Sequence, residues 1–334
     1  MNLIVSPAPH IKTRRTTRTI MLDVLIALLP ASAAGIVFFG WEAAVFIAIS
    51  LAGAFLTELV WYLIQHKVWK GSGILKDFFR QFDFTSLVTG LLLALCLPAQ
   101  IEAWYMPLIG SIFAVGVAKM LFGGTGKNIV NPALAGRIML FISFTAMTMY
   151  PAANFGPIAS TAADFDPSAG STQLGNFLSG QPMLSALDLF LGTGVAGCIG
   201  ETCKLALLVG YLYLCVRGVI KWYLPLLYIV TTGLFAMALE GGFGINLFAE
   251  AIFSGGLFLG AIFMATDYVT TPKTTPGNII YFIALGLFTA GLRKAVGIEV
   301  VSFAIFLMNF VVFLLDLVIR PRPFGSVKTR RAKQ

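Results

Sequence analysis

The stretch TIMLDVLIALLPASAAGIVFF, residues 19–39, carries one charged side chain, Asp23, in 21 positions. As a helix it is about 31 Å long, the thickness of a bilayer's hydrocarbon core. Ala31-Ser32-Ala33 resembles a signal-peptidase site, but apolar sequence continues past it to Gly40. The stretch therefore reads as an uncleaved first span. Working outward, nine further apolar runs follow, at roughly 42–65, 84–98, 103–123, 132–150, 201–217, 222–240, 246–265, 278–292 and 298–319. The third and the ninth of these ten spans are short. An outer-membrane barrel would instead show short alternating segments. The 334 residues are 58% hydrophobic and 11% charged, whereas soluble domains are about 25% charged. The sequence predicts an all-α integral membrane protein of about ten transmembrane helices.

The formal net charge is +8. The basic residues collect in loops and tails, the pattern that orients a membrane protein rather than one that grips nucleic acid. With both termini cytoplasmic, 19 of the 23 Lys and Arg fall on the inner side. The exceptions are Lys119, Lys204, Arg293 and Lys294. Lys119 is placed near an inner end, where it can snorkel. This orientation gives a cytoplasmic tail (1–18), a first five-helix unit (19–150), an extracytoplasmic loop (151–183), a second unit (184–319) and a basic cytoplasmic tail (320–334). The piece 184–200, with the run GTGVAGCIGE, is too broken for a span and reads as re-entrant or partly unwound.

The two units carry parallel features. GGTGKNIVNPALAGR (123–137) joins the fourth and fifth spans, and MATDYVTTPKTTPGN (264–278) joins the eighth and ninth. Five spans is an odd number, so a duplicated unit inserts upside down, and inverted repeats build binding sites where helices break. Asn128, Asn131 and Asp267 are the candidate polar groups of a pocket shared by the two units, for a ring-shaped cofactor or a solute. Helix capping and turn formation account for Asn-Pro and Thr-Asp equally well.

Glu58, Asp188, Glu201, Lys204, Glu240 and Glu250 lie in or beside apolar runs, where a charge faces a cavity or a partner. Glu201 and Lys204 are three apart and on a helix would pair. Cys96, Cys198, Cys203 and Cys215 show no metal-ligand spacing and read as small packing residues. No metal site and no catalytic residue is assigned.

The loop stretch FDPSAGSTQLGN (165–176) is small, polar and free of basic residues. Asp166, Gly170, Ser171, Thr172 and Leu174 form D-x-x-x-G-S-T-x-L, with an open threonine hydroxyl to which a bulky group can be attached. An ordinary Ser/Gly/Thr loop has the same composition.

SPAPHIK near the start, FDFTSLVTGLLLALCLP (82–98), GGTGKNIVNPALAGRIML (123–140), the stretch 166–174, IGETCKLALLVGYLYL (199–214) and MATDYVTTP (264–272) together resemble the membrane-subunit family that includes RnfD and NqrB. The length and short tails are more similar to RnfD. In that family FMN is joined through its phosphate to a threonine, at a motif close to D-x-x-[ST]-G-A-T-x-[LV]. The resemblance implies covalent FMN on Thr172, within the flavinylation motif of Asp166, Gly170, Ser171 and Leu174. Ala169 and Ser171 depart from the family pattern. It further implies a non-covalent riboflavin near Asn128, Asn131 and Asp267. It also implies a place in the prokaryotic cytoplasmic membrane, in an Rnf-type ferredoxin:NAD oxidoreductase complex that couples electron transfer to Na⁺ or H⁺ translocation. The implied partners are the other integral membrane subunits, a second flavinylated subunit and a flavin transferase. The chain itself would bind neither NAD nor ferredoxin, having no GxGxxG after a strand and no cysteine ligand set. A small-solute channel or transporter with inverted repeats is the alternative, and a scaffold for other redox subunits a third reading.

Overall fold

Thr16 starts the first helix. Its hydroxyl accepts from the Thr19 N–H at 3.3 Å, and the Thr19 hydroxyl accepts from the Thr16 N–H at 3.1 Å, a reciprocal cap. Helix α1 (Thr17–Phe39) then runs 23 residues to Gly40, whose positive φ of 70° ends it. The computed structural model describes residues 15–69, 74–99, 103–148, 150, 173–179, 184–242, 244–296 and 299–319.

The other helices are α2 (Trp41–Trp69), α3 (Ile74–Gln81), α4 (Thr85–Leu95), α5 (Tyr105–Ile112), α6 (Pro132–Ser143), α7 (Gln173–Ser179), α8 (Ala186–Leu191), α9 (Lys204–Val216), α10 (Tyr223–Glu240), α11 (Ile245–Phe253), α12 (Leu257–Leu259), α13 (Thr275–Val296) and α14 (Val301–Val318). Among the described residues the regular structure is helical. Five helices are long and apolar enough to cross a membrane: α1, α2, α10, α13 and α14. The α11–α12 stretch, bent by 69°, forms a sixth such run. Their outward faces expose Leu29, Val37, Leu56, Val60, Leu234 and Phe313, an apolar band that only lipid covers favourably. The protein is therefore an integral membrane protein.

Each of the ten predicted stretches holds a helix, but four of those helices are short: α4, α5 with its continuation to Met120, α6 and α9. The ninth stretch, read as short, is full length at 22 residues. Its start signal is present in the sequence: the Thr274 hydroxyl accepts from the Gly277 N–H at 3.2 Å, with Pro276 in the first turn.

The short helices have physical causes. Helix α9 begins only at Lys204 because residues 195–202 are unwound and buried. That segment pairs with the end of α4: the Ile199 N–H donates to Leu97 O at 3.0 Å and the Gly200 N–H to Leu95 O at 2.8 Å. The carbonyls that α4 leaves open are thereby satisfied inside the protein. Helix α9 then packs against α1 so closely that a Cβ on Gly210 would lie 2.1 Å from Ala27 O.

Two helices change to π-helical winding, α5 at Phe113–Met120 and α12 at Gly260–Met264. Each widened stretch leads straight into one of the two polar connectors. π-Turns concentrate at functional sites, and nothing in the apolar pattern marks them.

Candidate functional site

The two connectors meet at one end of the bundle. The N-terminal part of α1, the start of α4, the end of α9 and the residues around Asp267 gather there. Arg217 pairs with Asp23 at 3.1 Å and Arg15 donates to Gly218 O at 3.2 Å. The Tyr268 hydroxyl donates to Val219 O.

Between these elements lies a cavity of about 100 Å³, part of it open to solvent. Asn128, Asn131 and Asp267 all line it, with Leu92, Leu214, Ile262 and Phe263 as apolar walls and Tyr268 beside them. The structure thus brings together three residues that are 139 positions apart at their extremes, Asn128 to Asp267.

Their roles differ. The Asn131 carboxamide oxygen caps α6, accepting from the Ala133 N–H at 3.1 Å, and its Nδ2 donates to Met264 O at 3.3 Å. Its side chain is committed to holding the connectors together. Asp267 accepts from the Val269 N–H at 3.4 Å and from the Thr270 hydroxyl at 3.3 Å. Burial raises its carboxyl above the ordinary value, and these two bonds offset only part of that. Asn128 is the open group: its Oδ1 is buried without a partner. An orphaned acceptor among apolar walls suits a ligand that presents a donor on a polar edge.

A polar network that the sequence did not suggest forms one side of the cavity. Lys119 is 1% exposed, so it does not snorkel; it lies 3.3 Å from Glu58 Oε1 and donates to Thr85 Oγ1. Thr85 donates to Asp83 Oδ1 at 2.6 Å and Thr125 to Asp83 Oδ2 at 2.8 Å. Burial pushes the Asp83 carboxyl up, but the Thr85 hydroxyl and N–H, the Lys119 ammonium and the Thr125 hydroxyl outweigh it and hold the carboxyl below the ordinary 3.8. The signal available in the sequence is Asp-x-Thr ahead of an apolar run, a cap motif.

A second cluster occupies the opposite end. Arg293 follows Thr275 by 18 residues of continuous helix, about 27 Å. Arg293 pairs with Glu299 at 3.3 Å and donates to Ala251 O and Ser254 O. Lys294 pairs with Glu240 at 2.7 Å. Glu201 and Lys204 do not pair as their spacing suggested. Glu201 lies ahead of α9, where helical spacing does not apply, and accepts from the Cys198 N–H at 2.8 Å. Arg137, which the charge count places among loop residues, is buried in α6 with Cys198 Sγ at 3.8 Å. Leu174 is 1% exposed and lines a water-sized pocket of about 10 Å³ in this cluster, beside Tyr150, Glu201, Lys204 and Glu299. Asp166, Gly170, Ser171 and Thr172 lie outside the described residues. Among the described residues no group of three or more His, Cys, Asp or Glu could hold a metal ion.

A profile described as "NQR2, RnfD, RnfE family" matches residues 4–325. The chain belongs to the NQR2, RnfD, RnfE family. Relatives of this family align with it end to end. It is 38% identical to the D subunit of the Na(+)-translocating ferredoxin:NAD(+) oxidoreductase complex of Acetobacterium woodii, over 99% of this chain and 98% of that one. It is 36% identical to the D subunit of the proton-translocating ferredoxin:NAD(+) oxidoreductase complex of Clostridium ljungdahlii, over 96% of each. It is 32% identical to the D subunit of the ion-translocating oxidoreductase complex of Escherichia coli K12, over 97% of this chain and 99% of that one. The RnfD resemblance read from six separate motifs thus extends along the whole chain.

Proposed function

We propose that the chain is the D subunit of an Rnf-type ferredoxin:NAD(+) oxidoreductase complex and works as a flavin-carrying electron relay within it. The observation that carries this reading is the end-to-end match to the D subunits of such complexes. The complex couples electron transfer to movement of Na⁺ or H⁺, and this subunit is not catalytic alone. Its partners are the other integral membrane subunits, a second flavinylated subunit and, during maturation, a flavin transferase.

In this reading Thr172 carries FMN through a phosphoester and the connector cavity holds riboflavin. Bound flavin supplies one- and two-electron chemistry, and the protein supplies position and electrostatics. At the connector cavity, Phe263, Leu92 and Leu214 would flank the ring and Asn128 Oδ1 would accept from its polar edge. Asp267 and the Lys119–Asp83 network would set the charge beside it.

The four short helices and the bent run complete ten membrane crossings in two inverted units of five, in the prokaryotic cytoplasmic membrane. The parallel π-helical turns ahead of both connectors support that repeat. The connector end faces the cytoplasm with both termini, by the distribution of Lys and Arg. Loop 151–183 then lies on the extracytoplasmic side.

In-gel flavin fluorescence of the denatured chain, co-expressed with its transferase, tests the reading beside Thr172→Val. A fluorescent wild-type band and a dark variant band are expected. A dark wild-type band, with the transferase active on a control substrate, sinks the covalent-flavin assignment.

A further inference from the structure

We infer that α3, lying against α2, docks on the headgroup of an anionic phospholipid at the connector end of the bundle. The site goes beyond the flavin relay and stands without it.

The level of α3 in the membrane follows from α2. Trp41, 48% exposed, opens the apolar Trp41–Gln65 span and marks one membrane boundary, where exposed tryptophan concentrates. Tyr62 follows it by 21 residues, about 31 Å along the helix, which is the thickness of the hydrocarbon core. Tyr62 therefore sits at the opposite boundary. The Phe78 ring of α3 packs there, 5.3 Å from the Tyr62 ring and 5.8 Å from that of Phe55. Helix α3 thus lies at the interface between hydrocarbon and headgroups.

The sides of α3 are sorted for that place. Phe78 faces inward and is 3% exposed. At about 100° per residue, Phe79 projects to one side of it, Lys76 and Arg80 project roughly opposite it, and Asp77 and Gln81 project to the other side. Phe79 is 57% exposed, with its ring 6.4 Å from Phe55. Phe55 adjoins the exposed stripe Leu56, Val60 and Ile64 of α2, so Phe79 continues the band that lipid covers. Lys76 and Arg80 are exposed next to it, one turn apart. Their heads can reach a phosphate at the surface while Phe79 enters the acyl region. Arg18 brings a third cation to this edge: its guanidinium stands 5.0 Å from the Phe84 ring, which lies 5.3 Å from Phe82. Against these three, α3 has one acid, Asp77, on the side away from Phe79. Apolar contact continuous with the lipid band and an excess of cations above it fit an anionic phospholipid. Phe82 and Asp83 follow α3 directly, so a lipid that fixes α3 also steadies the acid of the Lys119 network.

The test places a tryptophan at the contact, Phe79→Trp, in the full chain. Bilayers contain equal parts phosphatidylglycerol and phosphatidylcholine, with bromine on the acyl chains of one lipid or of the other. Membrane charge is then the same throughout and only the position of the quencher differs. Quenching of the added tryptophan, read as variant minus wild type, is expected to favour brominated phosphatidylglycerol about fivefold, the effect of one basic side chain at a membrane surface. Lys76→Gln with Arg80→Gln on the same chain is expected to remove the preference and keep the quenching. Salt at about 0.5 M is expected to weaken the preference with no further substitution. Absence of quenching by either lipid overturns the inference, because α3 then lies off the membrane. Equal quenching by the two lipids shows an apolar contact without headgroup choice and overturns it too, as does a preference that survives both the double substitution and salt. In the assembled complex the quenching is expected to persist; its loss there assigns the face to a partner subunit and overturns the lipid site.

Discussion

The Asn131 side chain donates to the main-chain carbonyl of Met264 at 3.3 Å, joining the first polar connector to the π-helical end of the run that precedes the second. The same side chain caps α6 through its oxygen. Asn131→Asp keeps the capping acceptor and loses the donor, leaving Met264 O short of a partner. Asn131→Ala loses both. A lost cap costs about 0.5–2 kcal/mol and an orphaned buried group about 1–3 kcal/mol. Thermal unfolding in detergent is expected to order the three as wild type, then Asp, then Ala. An alanine variant as stable as wild type would show that the connectors are held by other contacts.

Arg293 and Glu299 form a buried ion pair, with side chains 4% and 6% exposed. Removing one partner of such a pair leaves the other charge buried and uncompensated, at about 3–5 kcal/mol. Arg293→Met is therefore expected to lower the unfolding temperature strongly. Replacing both residues together, Arg293→Met with Glu299→Leu, is expected to recover much of the loss, because the desolvation penalty disappears with the charges. A double variant no more stable than the single one would mean that the backbone bonds of Arg293 to Ala251 and Ser254, rather than the pair, are decisive.

Asp83 gives a pH dependence of defined sign. Its carboxyl lies below the ordinary 3.8 in the folded protein. A depressed folded-state value stabilises the fold above the unfolded value and is lost as pH falls through the folded one. Asp83→Asn is thus expected to be less stable than wild type by a constant margin between about pH 5 and pH 7, with the gap closing as pH falls below about 4. Unfolding temperatures of both proteins across that range check it. A gap that widens on acidification has the wrong sign for this network.

The ten helical stretches were legible because apolar length alone marks them, and the connector cavity was partly legible because Asn128, Asn131 and Asp267 stand out as polar groups at helix breaks. What spacing could not reveal is which break lies against which. Glu201 and Lys204 read as a helical pair, and only the pairing of Ile199 and Gly200 with α4 shows that the helix has not yet begun at Glu201. Lys119 read as a snorkelling lysine because its partner Glu58 is 61 residues away. The π-helical turns change winding without changing composition, so no apolar period reports them. Of the flavinylation motif, only Leu174 falls among the described residues, and that motif was legible through its resemblance to the RnfD and NqrB family.

Asn128 provides the sharpest check on the connector cavity. Its Oδ1 is buried without a partner and its side chain contributes to the cavity lining. A buried acceptor left open costs free energy in the empty protein, which a ligand donor recovers on binding. Asn128→Ala removes that cost and the contact together. The variant is therefore expected to fold at least as well as wild type and yet to hold less non-covalent flavin, with affinity weaker by about tenfold. Non-covalent riboflavin released on denaturation, quantified against the flavin that stays with the chain, reads this directly. Thr172→Val in parallel should remove only the retained fraction. Unchanged riboflavin in Asn128→Ala would place the ring elsewhere, and a fall in both fractions would point to a folding defect rather than to a lost contact.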